Sequence, residues 1–134
     1  MYKKLSVRIA LCFVFFSFLV TSGVQASTPP VTVRTALVPV LADIAGMTLY
    51  VFDNDVGGKS SCFGSCADIW PPLMSSGDAV DAPYGKVHRP DGDQITYKGK
   101  PLYTFMTDRA PGDILGSELH GIWHVVPMLM NTNE

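Results

Sequence analysis

Apolar positions between residues 36 and 130 recur at a spacing of two, in short runs broken by Gly, Asp and Pro. That alternation is the mark of half-buried β-strands, and no stretch keeps the 3.6-residue period of a long helix. Ala36 to Leu41 reads as one strand, Asp43 to Gly46 as a turn and Met47 to Phe52 as the returning strand. Lys86 to His88 and Gln94 to Tyr97 read as a second hairpin around Arg89-Pro90-Asp91-Gly92-Asp93. Gln94 to Tyr97 then leads through Lys98-Gly99-Lys100-Pro101 into Leu102 to Phe105. A last strand follows each tryptophan, most clearly Trp123 to Val126. Short helical turns are expected only at Ser65 to Ile69 and Ser117 to Gly121.

The pattern repeats. At an offset of 53 residues Gly46 falls on Gly99, Leu49 on Leu102, Tyr50 on Tyr103, Phe52 on Phe105 and Asp55 on Asp108. The same offset lays Ile69 on Ile122 and Trp70 on Trp123, so both tryptophans of the chain occupy equivalent places. Two units follow, about 31–83 and 84–130. Side chains alternate along a strand, so Tyr50 and Phe52 share a face, as do Tyr103 and Phe105, while Leu49 and Val51 point the other way. A unit of some 50 residues buries too little surface to stand alone. The expected fold is therefore mainly β, with two small units packed through a pseudo-twofold into a sandwich or partly closed barrel. Trp70, Trp123, Tyr50, Phe52, Tyr103 and Phe105 are its core candidates.

The first 26 residues are set apart from this pattern. Lys3, Lys4 and Arg8 precede an apolar run from Ile9 to Val20, and Val24-Gln25-Ala26 supplies the small residues of a cleavage site. This is the layout of a secretory signal peptide. Its apolar run of about 12 residues is short of the ~20 that a spanning helix needs. Cys12 follows Leu11 rather than a small residue, so no lipid anchor is read there. The expected mature domain, 27–134, keeps seven basic and twelve acidic residues, a net charge of −5. With that charge and no basic run, nucleic-acid binding is not expected. The address expected is the periplasm or the cell exterior.

Cys62 and Cys66 are the two cysteines left after cleavage, and an even pair in an exported chain reads first as a disulfide. A metal or redox ligand pair is the alternative. Leu115 and Leu119 hold the matching places in the second unit, so the unit does not need the cysteines to fold. His120, His124 and Met128 offer imidazole and thioether, ligands that copper accepts. If 120–124 were extended the two imidazoles would stand ~13 Å apart and could not hold one ion together. His124 is then the preferred member, and Cys62, Cys66 and His124 form a soft-metal set if the fold joins the units. Non-covalent haem, held by the aromatics with His or Met as axial ligand, is a further option. Asp53-Asn54-Asp55 begins like a calcium loop but has Gly57 and Gly64 at its fifth and twelfth places, so Asp55 and Asp108 are read as acceptors for backbone N–H groups in the turns.

Tyr50-Val-Phe52-Asp-Asn-Asp55 and Tyr103-Thr-Phe105-Met-Thr-Asp108 both fit the pattern Tyr-x-aromatic-x-x-Asp. Together with Cys62-Phe-Gly-Ser-Cys66, Trp70-Pro-Pro-Leu and Gly121-Ile-Trp123-His124-Val, they make the chain resemble the bacterial "secreted repeat of unknown function", from about Val33 to Pro127. The resemblance implies export and a duplicated unit, and no established reaction. The chain departs from lipid-anchored members in lacking a lipobox.

No Gly-x-Ser-x-Gly elbow, His-Glu-x-x-His pair or phosphate-binding loop is present, and Glu118 and Glu134 are the sole glutamates. No enzyme is read. Two functions stay open: an exported protein binding a metal or redox cofactor with an envelope or redox partner, and a disulfide-stapled binding or structural module of the envelope.

Overall fold

The computed structural model describes residues 31–34, 39–77 and 79–128. The signal-peptide expectation over 1–26, with Cys12, lies outside the described residues, as do residues 36–38 of the first expected strand. The elements run β1 (Val31–Arg34), β2 (Pro39–Ala42), β3 (Tyr50–Phe52), α1 (Ser65–Ile69), β4 (Tyr84–Arg89), β5 (Gly92–Tyr97), β6 (Lys100–Pro101), a 3-10 turn (Leu119–Gly121) and β7 (Trp123–Val125). The described residues are mainly β with little helix, and their one α-helix is five residues long.

The strands form three antiparallel ladders: β1 with β2, β3 with β7, and β4 with β5 and β6. Single bridges tie them together, Val40 to Pro127, Ala42 to Thr48, Tyr50 to Tyr103, Pro72 to Tyr103 and Met74 to Gln94. The ladders do not close into a barrel. The reason is in the strand lengths. β3 and β7 are three residues each, and prolines at 71 and 72 deny the return segment after Trp70 the N–H groups of a full ladder. The strand expected over Leu102 to Phe105 is likewise reduced to β6 and the two bridges at Tyr103.

The β4–β5 hairpin forms as a full ladder, whereas the first expected hairpin is closed by a single bridge, Ala42 to Thr48. Asp43 takes up the first turn, accepting the backbone N–H groups of Ala45 and Met47 on its Oδ1, each at 2.9 Å. Leu49 then returns to Leu41, N to O 2.9 Å. β4 and β5 meet around a two-residue turn, Pro90-Asp91, with Arg89 opposite Gly92. Pro presets φ for the turn, and Gly92 at φ 133° occupies backbone space that disfavours side chains.

Alternation along the strands builds two cores. Leu41, Leu49, Val51, Ile95, Leu102 and Val126 form one cluster, with Met128, Tyr84 and Tyr97 packed on it. Tyr50, Cys62, Trp70, Tyr103 and Trp123 form the other, flanked by Phe52, Phe105, Cys66, Leu119 and Ile122. Residues 49–52 and the segment after β6 each thread between them, giving Leu49, Val51 and Leu102 to the first, Tyr50 and Tyr103 to the second.

Candidate functional site

The second cluster gathers the motif residues of both units. Tyr50 and Tyr103 face each other across a bridge in which each backbone N–H donates to the other's carbonyl, at 2.8 and 3.0 Å. Trp70 and Trp123 stack with centroids 3.8 Å apart and planes within 4°. Phe52 stacks on Trp123 at 4.1 Å and Phe105 on Trp70 at 4.3 Å. The result is a column, Phe52–Trp123–Trp70–Phe105, in which every neighbouring pair joins one unit to the other. Tyr50 meets Trp70 edge-on at 5.3 Å and Tyr103 meets Trp123 at 5.2 Å. Each such pair adds about 0.5–1.5 kcal/mol beyond the area it buries.

The hydroxyls cross over as well. Tyr50 donates to Asp108 Oδ2 at 2.7 Å, and Tyr103 donates to Asp55 Oδ2 at 2.9 Å. The other carboxylate oxygen of each Asp closes its own loop: Asp55 Oδ1 accepts Ser61 N–H at 2.7 Å, and Asp108 Oδ1 accepts Leu115 N–H at 2.9 Å. Each aspartate thus accepts a backbone N–H of its own loop and a tyrosine hydroxyl of the other unit. Burial raises the Asp108 carboxyl above its ordinary range, although bonds from Tyr50 and Leu115 oppose the shift. Burial also pushes the Tyr103 hydroxyl up to about 12, and raises Tyr50 further.

Cys62 and Cys66 are joined by a disulfide, Cα to Cα 5.3 Å, against this cluster. Cys62 is fully buried and Cys66 half-buried. Behind the loop lies Arg89, the one buried cationic side chain among the described residues, 1% exposed. Its Nη1 donates to Ser60 Oγ, to the Cys62 carbonyl at 3.0 Å and to Gln94 Oε1 at 3.2 Å. Nε donates to Asp91 Oδ1 at 2.9 Å, and the guanidinium also lies 4.4 Å from the Phe63 ring centroid. Gln94, equally buried, passes the network on to the Leu102 carbonyl at 2.7 Å. Reading residues 89–93 only as the turn of a hairpin missed Arg89. Alternation offered the signal, since Lys86 and His88 face out and Val87 and Arg89 face in.

His124, the middle residue of β7, stands between two carboxylates. Its Nδ1 lies 2.9 Å from Glu118 Oε1 and its Nε2 2.9 Å from Asp53 Oδ2. Carboxylates accept only, so both contacts are made together by the doubly protonated ring. The Glu118 and Asp53 contacts raise the imidazole above its ordinary value. The equivalent of His124 in the first unit is Pro71, and that of Glu118 is Ser65. The ion cluster is thus particular to one end of the molecule.

The metal set expected from Cys62, Cys66, His124, His120 and Met128 is not assembled. The cysteines are bonded to each other, both His124 nitrogens face carboxylates, His120 is exposed in the 3-10 turn at φ 55°, and Met128 packs on the other core. Among the described residues no group of three or more His, Cys, Asp and Glu is placed to hold a metal ion. The aromatics expected as a haem platform are stacked on one another instead. Nor is any helix among the described residues long and apolar enough to cross a membrane.

A family model described as a secreted repeat of unknown function matches residues 31–74 and again 85–127. No curated protein and no solved structure is similar enough to match.

Proposed function

Because the chain belongs to the family of secreted repeats and carries the unit twice, we propose that it works outside the cytoplasm as a disulfide-stapled binding or structural module of the envelope. The observation that carries this reading is the Cys62–Cys66 bond, closed in a loop directly against the junction of the two units. Such bonds form and persist in oxidising compartments. The motif side chains are spent on holding the units together, which leaves them neither free to ligate copper nor open to receive haem. A carrier of metal or redox cofactor therefore has the weaker support.

Intact mass of the protein from a periplasmic fraction, native and denatured, tests the reading. A chain starting at Ser27, two hydrogens light and carrying nothing further, is the expected result. An uncleaved chain in the cytoplasmic fraction with free thiols overturns the export reading. A native mass raised by a metal or haem and lost on denaturation restores the cofactor reading.

A further inference from the structure

We propose that Cys62–Cys66 is an exchangeable disulfide, the substrate of a protein dithiol outside the cytoplasm, with Cys66 the sulfur attacked and Cys62 the leaving thiolate. The proposal rests on the export reading for its compartment, but its chemistry is read from the site itself. Three observations converge on it.

The bond contributes little that the fold lacks otherwise. It joins residues only four apart, and a loop that small gains about 2 kcal/mol at most from chain entropy. The second unit does without it: Leu119 flanks the aromatic cluster in the place where Cys66 does in the first.

The two sulfurs are not alike. Cys62 is fully buried, while Cys66 is half-buried beside exposed Gly64 and Ser65. Cys66 is the more open of the two to an incoming thiolate.

A buried cation lies against the loop that carries the leaving group. Arg89 is held by its Nη1 on the Cys62 carbonyl, and all three Nη1 acceptors are neutral. Its anionic partner, Asp91, accepts Nε at 2.9 Å and Nη2 at 3.4 Å and is half exposed to solvent. Nη1 keeps the guanidinium against the disulfide loop at the Cys62 carbonyl, and a neighbouring cation stabilises a thiolate. A better-stabilised thiolate leaves faster.

The step balances as follows. The partner's thiolate attacks Cys66 Sγ, the Sγ–Sγ bond breaks, and its electron pair leaves on Cys62. The partner's second thiolate then attacks its own sulfur in the mixed disulfide and frees Cys66. Two electrons pass to this protein, the partner ends as a disulfide, and the partner's two thiol protons end on Cys62 and Cys66.

The test is equilibration of the purified, oxidised mature protein in mixed reduced and oxidised glutathione buffers. Thiols are read by alkylation and mass, and Trp70, packed beside the cysteines, reports by fluorescence. The folded protein is expected to take up two alkyl groups in a glutathione-dependent way while still melting cooperatively. Structural disulfides resist the glutathione pool, so a bond that stays closed until the fold is lost overturns the proposal. Arg89→Gln should shift the equilibrium about tenfold toward the disulfide, by removal of one favourable charge contact. Asp91→Asn, which empties no core space, should shift it severalfold the other way. If Arg89→Gln does not fold, Asp91→Asn decides, and an unchanged equilibrium there overturns the role of Arg89. Failure of export leaves this measurement intact, and failure of exchange leaves the export result standing with the bond as a plain staple.

Discussion

Tyr50 donates its phenolic hydrogen to Asp108 Oδ2 at 2.7 Å, and the two residues belong to different units of the repeat. The same bond recurs with the units exchanged, from Tyr103 to Asp55 at 2.9 Å. A motif that looks self-contained in sequence therefore works only in pairs. Each unit supplies the donor for one bond and the acceptor for the other, which makes the junction cooperative.

The two bonds are not equal in burial. Asp108 is 6% exposed, whereas Asp55 is half-buried and Tyr103 also shares a hydrogen bond with Ser60. Tyr50→Phe removes one of the hydrogen bonds to a buried carboxylate, a change that costs about 1–3 kcal/mol. Tyr103→Phe should cost less than that, because water can reach Asp55. Urea unfolding of both variants checks the order. A double-mutant cycle of Tyr50→Phe with Asp108→Asn should return a coupling of about 0.5–3 kcal/mol, as for groups in direct contact.

The tryptophan pair makes a spectroscopic prediction. Stacked indoles at 3.8 Å and 4° couple their transitions, so circular dichroism should show an exciton couplet. Trp70→Phe and Trp123→Phe should each abolish it completely, because one chromophore cannot couple alone. Loss of half the signal in either variant would contradict the stack. Each variant should also lose roughly 1–3 kcal/mol of stability through the void left between Phe52 and Phe105.

Much of this junction is legible along the chain. The offset of 53 residues makes the two tryptophans equivalent, and alternation assigns Tyr50 and Phe52 to one face and Leu49 and Val51 to the other. The exchange of Tyr–Asp partners is harder to see, because motif spacing invites pairing within a unit. Asp55 N–H closes a turn on the Phe52 carbonyl at 3.1 Å, and motif spacing alone does not say towards which tyrosine that turn carries the carboxylate. Arg89 is hidden for another reason. A cation beside Pro-Asp-Gly reads as solvent-facing turn chemistry, and its burial depends on Ser60 and the Cys62 carbonyl from a loop far away in sequence. The soft-metal set fails because matching ligand types says nothing of which core each one packs on.

Gly116 makes a steric prediction. A Cβ there would meet Trp70 Cη2 at 2.6 Å, Trp70 Cζ3 at 2.9 Å and Phe105 Cγ at 3.0 Å. Both rings are held in the column and neither is a flexible end that gives way. Gly116→Ala should therefore destabilise by about 1–3 kcal/mol, the usual cost of overpacking. Gly112→Ala, with open space around the added carbon but φ at 89°, should show only backbone strain of about 1 kcal/mol. Thermal unfolding of the two variants separates the effects, and the exciton couplet should weaken in the first alone.

His124 makes a prediction in pH. Its folded value is raised, chiefly by Glu118 and then by Asp53. Between the unfolded value, near 6.5, and the higher folded one, the native state holds a proton that the unfolded chain has released. Stability from this group is accordingly full below pH 6.5 and lost as pH rises through the folded value. A neutral imidazole has a single N–H and keeps only one of its two carboxylates. Glu118 is the more exposed of the two and sits at φ 59°, a left-handed backbone that a glutamate does not favour. Its contact should be the one released. Unfolding in urea from pH 6 to 9 should show stability falling with pH, and His124→Gln should flatten the slope. An NMR titration of the imidazole should give a midpoint above 6.5, and Glu118→Gln should lower it more than Asp53→Asn does. A midpoint at or below the ordinary histidine value would mean that the two carboxylates are not both engaged in solution.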